Sequence, residues 1–171
     1  METGLFDLFD EWNSLYGIQE DTVSAIGYFT IVWNMFENLY MNKHANEKKI
    51  IEDKYLIEMS ESHDPDLNNL IVRYRIEALK SISKDEDSLN TSDIIQYFYH
   101  NSHGKYISEY LSFFRGEDAN LSYCLGSICR IRNNLLHGEK TIFSINQQKE
   151  LIGAAADILA YLTTYEKMHS H

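Results

Sequence analysis

The sequence predicts an all-α protein, a helical bundle of about four or five core helices with shorter helices between them. Only one of its 171 residues is proline, Pro65, so long stretches are free to be helical. Apolar residues recur along most of the chain at the spacing of about 3.6 residues that an α-helix requires. No hairpin signal and no sustained alternation of polar and apolar residues indicates a strand. The length supports one hydrophobic core, so we expect residues 1–171 to form a single domain.

Three helical segments are expected in the first half of the chain. Residues 23–41 come first, capped by Asp21 or Thr22, with the apolar stripe Ile26, Phe29, Trp33, Phe36 and Tyr40. Residues 47–59 form the second segment. The third runs to residue 82 and begins at Asp64 and Pro65, a pair typical of an N-cap followed by a first helical turn. Its predicted core residues are Leu67, Leu70, Ile71, Tyr74 and Ala78.

The second half begins with residues 83–90, which are charged and polar and favour a solvated loop. Short helices are expected at residues 92–99 and 105–114, on either side of a break at residues 101–104. A long helix follows at residues 118–137, and Gly138 is placed to end it. The last helix covers residues 145–167. Its small residues, 153–156, would let another helix approach closely.

Composition and charge limit the function. The chain has 26 acidic residues against 15 Lys and Arg, a net charge of -11, which argues against binding long nucleic acid through a broad basic surface. No run approaches the roughly 18 apolar residues of a membrane span, and the first residues do not resemble a secretory signal. Cys124 and Cys129 cannot form a disulfide framework, so we expect a cytoplasmic protein. We also expect no metal and no cofactor, because His100 and His103 lack nearby acidic or Cys partners.

Two charged residues fall within apolar stripes. On a helical wheel Arg132 lies about 40° from Ile128, inside the stripe of its helix, and Glu37 lies about 20° from Ile26. One interpretation is a structural ion pair that fixes the helix register. The other is a polar site between helices, which is where bundles usually place their chemistry. His137 favours the second, because an imidazole can transfer a proton near neutral pH and an arginine can hold a phosphate.

The segment from Arg132 to His137 resembles the R-x4-H motif of HEPN domains, including the polar residue after the arginine, here Asn133. The helix that carries Trp33 and Glu37 is also similar to the first helix of several HEPN groups, among them the Apea-like ones. Many HEPN proteins are metal-independent endoribonucleases of toxin–antitoxin, abortive-infection or other anti-phage systems, and they commonly act as homodimers.

The resemblance implies a role for each motif residue. His137 would be the general base or acid at a ribose 2′-hydroxyl, and Arg132 would bind the scissile phosphate. Asn133 would orient these groups, and Glu37 would hold Arg132 or His137 in place. Arg130 and Lys140 would contact RNA phosphates.

Two alternatives remain open. Arg130 lies seven residues before His137, so an R-x6-H motif also fits the family's spacing. A non-catalytic HEPN-like module that binds a nucleotide or a protein is the alternative function. A HEPN subgroup neutralised by nucleotidyltransferase antitoxins carries a Tyr two residues after the His. Glu139 stands there in this chain, which argues against that mode of control for any antitoxin partner.

Overall fold

The computed structural model describes residues 5–82, 84–97, 106–136 and 142–169, and within these ranges it contains helices and no strand. The all-α class expected from the sequence is therefore confirmed. The helices are α1 (Leu5–Tyr16), α2 (Glu20–Tyr40), α3 (Glu47–Ile51), α4 (Lys54–Glu61), α5 (Pro65–Ile82), α6 (Thr91–Tyr97), α7 (Ile107–Phe114), α8 (Leu121–Leu136), α9 (Ile142–Asn146) and α10 (Lys149–His169).

The last helix, α10, lies at the centre of the packing. It packs most extensively against α2 and next against α5, while α8 is covered by α3, α4 and α7. Large side chains from these helices form one hydrophobic core, in which Phe36, Tyr74 and Ile158 are completely buried. Ala154, Ala155 and Ala156 are also buried, so the small face of α10 lets its neighbours approach as expected.

The helices predicted at residues 23–41 and 64–82 are present as α2 and α5, but the predicted cap of α2 is wrong. The helix begins at Glu20 with Gln19 as its N-cap, so Asp21 and Thr22 lie inside it. In α2 the residues Phe29, Trp33 and Phe36 are buried and stack along the helix, with ring centroids 6.2 and 5.7 Å apart. At the start of α5, Oδ1 of Asp64 accepts hydrogen bonds from the backbone N–H groups of Asp66 at 2.9 Å and Leu67 at 3.1 Å. The predicted N-cap is therefore formed.

Three element predictions need correction. Residues 47–59 are two helices, because Oδ1 of Asp53 accepts from Leu56 N at 3.0 Å and starts a new helix in mid-segment. The long helix α8 begins at Leu121 rather than 118, since Asn120 Oδ1 accepts from Ser122 N at 2.8 Å. The last segment is divided into α9 and α10. The helix α1 was not predicted.

The loop after α5 is anchored rather than freely solvated. Leu89 is 1% exposed and joins the core. Arg115 donates to its carbonyl oxygen at 2.8 Å, and Arg75 forms an ion pair with Glu86 at 3.1 Å. Burial of this one apolar residue helps to anchor the loop. The sequence prediction missed it because the other residues of the segment are mostly polar.

Two tyrosines of the α7 segment connect it to α3. Tyr106 donates to Glu52 at 2.8 Å and Tyr110 donates to Glu47 at 2.7 Å. Gly126 of α8 makes room for this arrangement, because a Cβ there would collide with the Tyr110 hydroxyl. These contacts place α3 and α7 together on α8, the helix that carries the motif arginine.

No helix of the described ranges combines the length and the apolar character needed to cross a bilayer.

Candidate functional site

The site is organised by the last two turns of α8. One face of this helix is fully buried and consists of Leu121, Cys124, Leu125, Ile128 and Ile131. Arg132 follows this face and is half-buried, as its position on the helical wheel predicts. The long aliphatic stem of arginine can lie along the apolar stripe while its guanidinium reaches a more open place.

The guanidinium of Arg132 lies beside α2. Its Cζ is 5.9 Å from the centroid of the Trp33 ring, within the range of a cation–π contact. Its Nη1 donates a hydrogen bond to Oδ1 of Asn133 at 3.0 Å. Asn133 thus contacts Arg132, and its role in orienting catalytic groups stays a prediction.

A pocket of about 80 Å³ opens where these two helices meet, and we call it the α2–α8 pocket. Its lining consists of Phe29, Thr30, Trp33, Asn34, Arg132 and Leu135. Phe29 and Trp33 are buried at 2% and 3% exposure, whereas Thr30 and Asn34 are exposed at the surface. The pocket thus combines aromatic rings that are nearly covered, a polar rim and one guanidinium.

Glu37 does not form the expected ion pair with Arg132. No nitrogen–oxygen distance of 4.0 Å or less joins the two residues, both of which the structure describes. Instead Oε1 of Glu37 accepts from the backbone N–H of Ala45 at 3.2 Å. This bond ties down the turn after α2, where Asn42 and Lys43 have positive φ angles of 49° and 65°. The wheel placed Glu37 on the correct side of α2 but could not show this local partner.

Arg130 occupies a different side of α8. Its Cζ lies 4.0 Å from the centroid of the Tyr97 ring, so the side chain stacks on α6 and is half-buried. It does not line the α2–α8 pocket. Of the two candidate motif arginines, Arg132 borders this pocket and Arg130 does not, and the role of each in RNA binding stays a prediction.

His137 and Lys140 lie outside the described residues, as do Gly138 and Glu139. Their predicted roles, including any support of His137 by Glu37, stay predictions. His100 and His103 also fall outside. Among the residues that are described, no group of three or more His, Cys, Asp or Glu side chains could hold a metal ion.

The thiols near the site are buried and structural. The pKa of Cys129 is raised to about 12, mainly by burial, while Arg132 acts to lower it and Glu47 and Glu37 act to raise it. Burial also raises the pKa of Cys124. Both thiols therefore stay protonated at neutral pH and are poor nucleophiles. Because Arg132, Glu47 and Glu37 all act on the pKa of Cys129, these three charged side chains lie near the same part of α8.

Sequence reasoning assigned Trp33 to the core and did not single out Thr30 or Asn34. A signal was present, since Thr30, Asn34 and Glu37 are polar residues at helical spacing beside the apolar stripe of α2. Only the approach of α8 shows that this polar edge forms a pocket wall.

No family model, curated protein or solved structure matches this chain. The likeness of the Arg132–His137 segment to HEPN domains therefore rests on its own residues alone.

Proposed function

We propose that this protein is a HEPN-like, metal-independent endoribonuclease that acts as a toxin or effector of a prokaryotic toxin–antitoxin, abortive-infection or anti-phage system. The observation that carries the proposal is the environment of Arg132. Its guanidinium borders an open pocket, is oriented by Asn133 and forms no ion pair with a carboxylate of the described residues. A half-buried cation without an acidic partner is available for an anionic ligand such as a phosphate.

The chemistry follows from the motif. His137 removes the proton from a ribose 2′-hydroxyl, and the oxygen forms a bond to phosphorus. The bond from phosphorus to the 5′-oxygen breaks, and this oxygen takes up a proton from an imidazolium. Arg132 stabilises the charge that develops on the phosphoryl oxygens. The products are a 2′,3′-cyclic phosphate and a free 5′-hydroxyl, and no metal ion takes part.

The resemblance also supplies the proposed partners and setting. RNA is the substrate, and a homodimer brings two copies of the Arg132–His137 motif to one cleft. An antitoxin or another protein partner controls the activity in the cytoplasm. The overall charge of -11 is compatible with this because a narrow cleft needs only a few cations.

The test is RNA cleavage in EDTA. We expect the wild-type protein to cut an RNA pool and leave 2′,3′-cyclic phosphate ends. Arg132→Ala and His137→Ala should each lower kcat by about 100-fold or more while the far-ultraviolet circular dichroism is unchanged. Arg73→Ala is the matched control, because it also removes one positive charge but breaks only a surface ion pair with Asp157.

Arg130→Ala separates the two possible motif arginines. The contacts of Arg132 with the pocket predict that Arg130→Ala retains most of the cleavage activity. A loss in Arg130→Ala equal to that in Arg132→Ala would favour the R-x6-H motif. If no RNA is cut by the wild-type protein, or if cutting survives Arg132→Ala, the proposal is wrong.

The α2–α8 pocket itself favours a second candidate function, a non-catalytic module that binds a nucleotide. Such binding needs Arg132 and the pocket but not His137. Under this alternative no RNA is cleaved, Arg132→Ala weakens nucleotide binding, and His137→Ala leaves it unchanged.

A further inference from the structure

Four large apolar side chains of α2 are exposed in one line, and we call them the outer stripe. They are Tyr28, Ile31, Met35 and Leu39, and between 43% and 62% of each residue is exposed. Their spacing of three or four residues places them on one side of the helix over about 16 Å. We propose that the outer stripe is a surface through which two copies of this chain associate.

The area of the stripe is in the range of interaction sites. Half-exposed side chains of this size each present roughly 100 Å² to water, so the stripe amounts to about 400 Å². Apolar patches of about 300–600 Å² on monomers are often functional. The stripe supplies about half of the roughly 800 Å² that each partner buries in a standard interface. Exposed neighbours such as Ser24, Gly27 and Asn38 add surface, so we expect a dimer of moderate affinity that depends on concentration.

The side of α2 that bears the stripe carries no charge. Residues 22–36 contain no Asp, Glu, Lys or Arg, although 24% of the chain is charged. The exposed residues beside the stripe, Ser24, Gly27 and Asn38, are also uncharged. A helix that keeps one side in water normally has charged and polar residues there. The outer side of α2 therefore has the composition of a surface that becomes covered.

The charge of the molecule favours a second copy as the covering partner. Each chain has a net charge of -11, so two copies repel each other wherever their acidic surfaces meet. Contact through the outer stripe brings no like charges together and buries no unpaired ion. A foreign partner has no charge on this side that could select it. A two-fold axis near the middle of the stripe brings Ile31 and Met35 against the same residues of the other copy, so the stripe is complementary to itself.

This contact leaves Arg132 accessible. On a helical wheel the pocket residues Thr30 and Trp33 lie about 150° around α2 from the middle of the stripe. Two chains joined by their stripes therefore present their α2–α8 pockets on the outside of the pair. The contact is distinct from the cleft in which the proposed function places two Arg132–His137 motifs, and it does not rest on that function.

Sedimentation equilibrium tests the contact. We expect the mass of the wild-type protein to reach at least that of two 20.0-kDa chains as its concentration rises. Ile31→Lys should raise the dissociation constant by about tenfold or more, because it removes apolar surface and places two like charges across the axis. The substitution changes the net charge from -11 to -10, so stronger overall repulsion cannot cause the loss.

Ile76→Lys is the matched control. Ile76 is an exposed isoleucine of another long helix, α5, and does not belong to the outer stripe. We expect this variant to associate as the wild-type protein does. A wild-type mass of one chain at every concentration, or equal losses in the two lysine variants, would overturn the inference.

Cross-linking determines which side of α2 is in contact. Cys124 and Cys129 are 0% and 2% exposed, so Met35→Cys introduces the only accessible thiol. A short bis-maleimide should link these chains in pairs, and adding Ile31→Lys should lower the yield by about tenfold. A yield that ignores Ile31→Lys reflects random collisions and contradicts the contact. Faster linking of Thr30→Cys, on the pocket side of α2, would also contradict it.

RNA cleavage assays separate this inference from the proposed function. If the Met35→Cys chains are linked in an Ile31-dependent way and no RNA is cut, the contact stands and the ribonuclease is wrong. If RNA cleavage depends on Arg132 while the Met35→Cys chains stay unlinked, the ribonuclease stands and the contact is wrong.

Discussion

At the residue scale, Gly126 sets how closely α7 can approach α8. Tyr110 is fully buried and its hydroxyl lies against Gly126 while donating to Glu47. Gly126→Ala would place a methyl group in collision with this hydroxyl and 3.3 Å from Ile51 Cδ1. We expect a loss of about 1–3 kcal/mol in the free energy of unfolding. Urea denaturation followed by circular dichroism measures it.

Gly153→Ala is the opposite control. Gly153 lies inside α10, and a Cβ built there has no neighbouring atom within 4 Å. Alanine therefore gains helix propensity at no steric cost, and we expect about 0.5–1 kcal/mol of added stability. A Gly126→Ala protein as stable as Gly153→Ala would contradict the tight contact. It also follows that close packing of α10 depends on Ala154, Ala155 and Ala156 and not on Gly153.

The site residues show how far a helical wheel can predict. The wheel placed Arg132 beside the buried face of α8, and the structure agrees. A wheel gives an angle but no distance to other helices. It therefore suggested Glu37 as the partner, whereas the nearest partners of the guanidinium are Asn133 and the ring of Trp33. The position of Asn34 in the pocket wall depends on the approach of α8 and was not visible in the sequence.

At the scale of elements, Asp64 joins two helices. Its Oδ1 caps the start of α5, and its Oδ2 accepts a hydrogen bond of 2.6 Å from the hydroxyl of Tyr161 in α10. The Tyr161 hydroxyl and the Leu67 N–H lower the pKa of Asp64 below its ordinary value of 3.8. The same bond raises the pKa of Tyr161 to about 12.

This bond predicts a pH-dependent stability difference. Because the folded-state pKa of Asp64 is lowered, its stabilising effect is complete above 3.8 and is lost as pH falls through the folded-state value. The stability difference between the wild-type protein and Tyr161→Phe should therefore be largest near pH 6 and shrink below pH 3.8. Urea denaturation across this range measures it.

Tyr165→Phe is the control for that experiment, since it removes a hydroxyl from the same face of α10 without touching Asp64. We expect its stability difference from wild type to stay constant across the acidic range. A constant difference for Tyr161→Phe as well would contradict the coupling of the two residues.

Helix boundaries were predicted where the capping residue precedes a strong apolar pattern, as at Asp64. They were not predicted where a cap interrupts such a pattern. Asp53 caps the start of a second helix directly after the first, although the apolar periodicity of the segment continues through it. The difference in free energy between capping a helix here and continuing it is small and depends on local contacts. A periodic pattern of apolar residues reflects packing and therefore does not show it.

At the scale of the whole molecule, a net charge of -11 limits how many phosphates the protein can bind. We therefore expect Arg132 to supply a measurable share of the salt dependence of RNA binding. For a single-stranded RNA with 2′-deoxy substitution at the cleavage point, Arg132→Ala should reduce the slope of log Kd against log salt by about 0.7. Fluorescence anisotropy measures the slope.

Arg73→Ala is again the matched control, because Arg73 is paired with Asp157 and does not line the α2–α8 pocket. Its slope should equal that of the wild-type protein. Equal changes in the two variants would mean that the loss of charge, and not its position, determines binding.

The class of the fold was predictable because a helical period repeats throughout the chain and only one proline interrupts it. The position of α10 between α2 and α5 was not predictable. Every long helix has an apolar face, and such faces do not specify their partners. Buried small residues such as Ala155 indicated close packing but not the identity of the neighbouring helix.

The central place of α10 has a consequence for synthesis. The helix that packs against both α2 and α5 follows them by more than 60 residues in the chain, so these two helices gain their main packing surface only after α10 has been made. Contacts between distant parts of a chain form slowly and leave apolar faces exposed in the meantime. On the ribosome, the apolar faces of α2 and α5 that pack on α10 thus stay uncovered until α10 has been synthesised, and a chaperone that binds apolar helices can bind them in that interval.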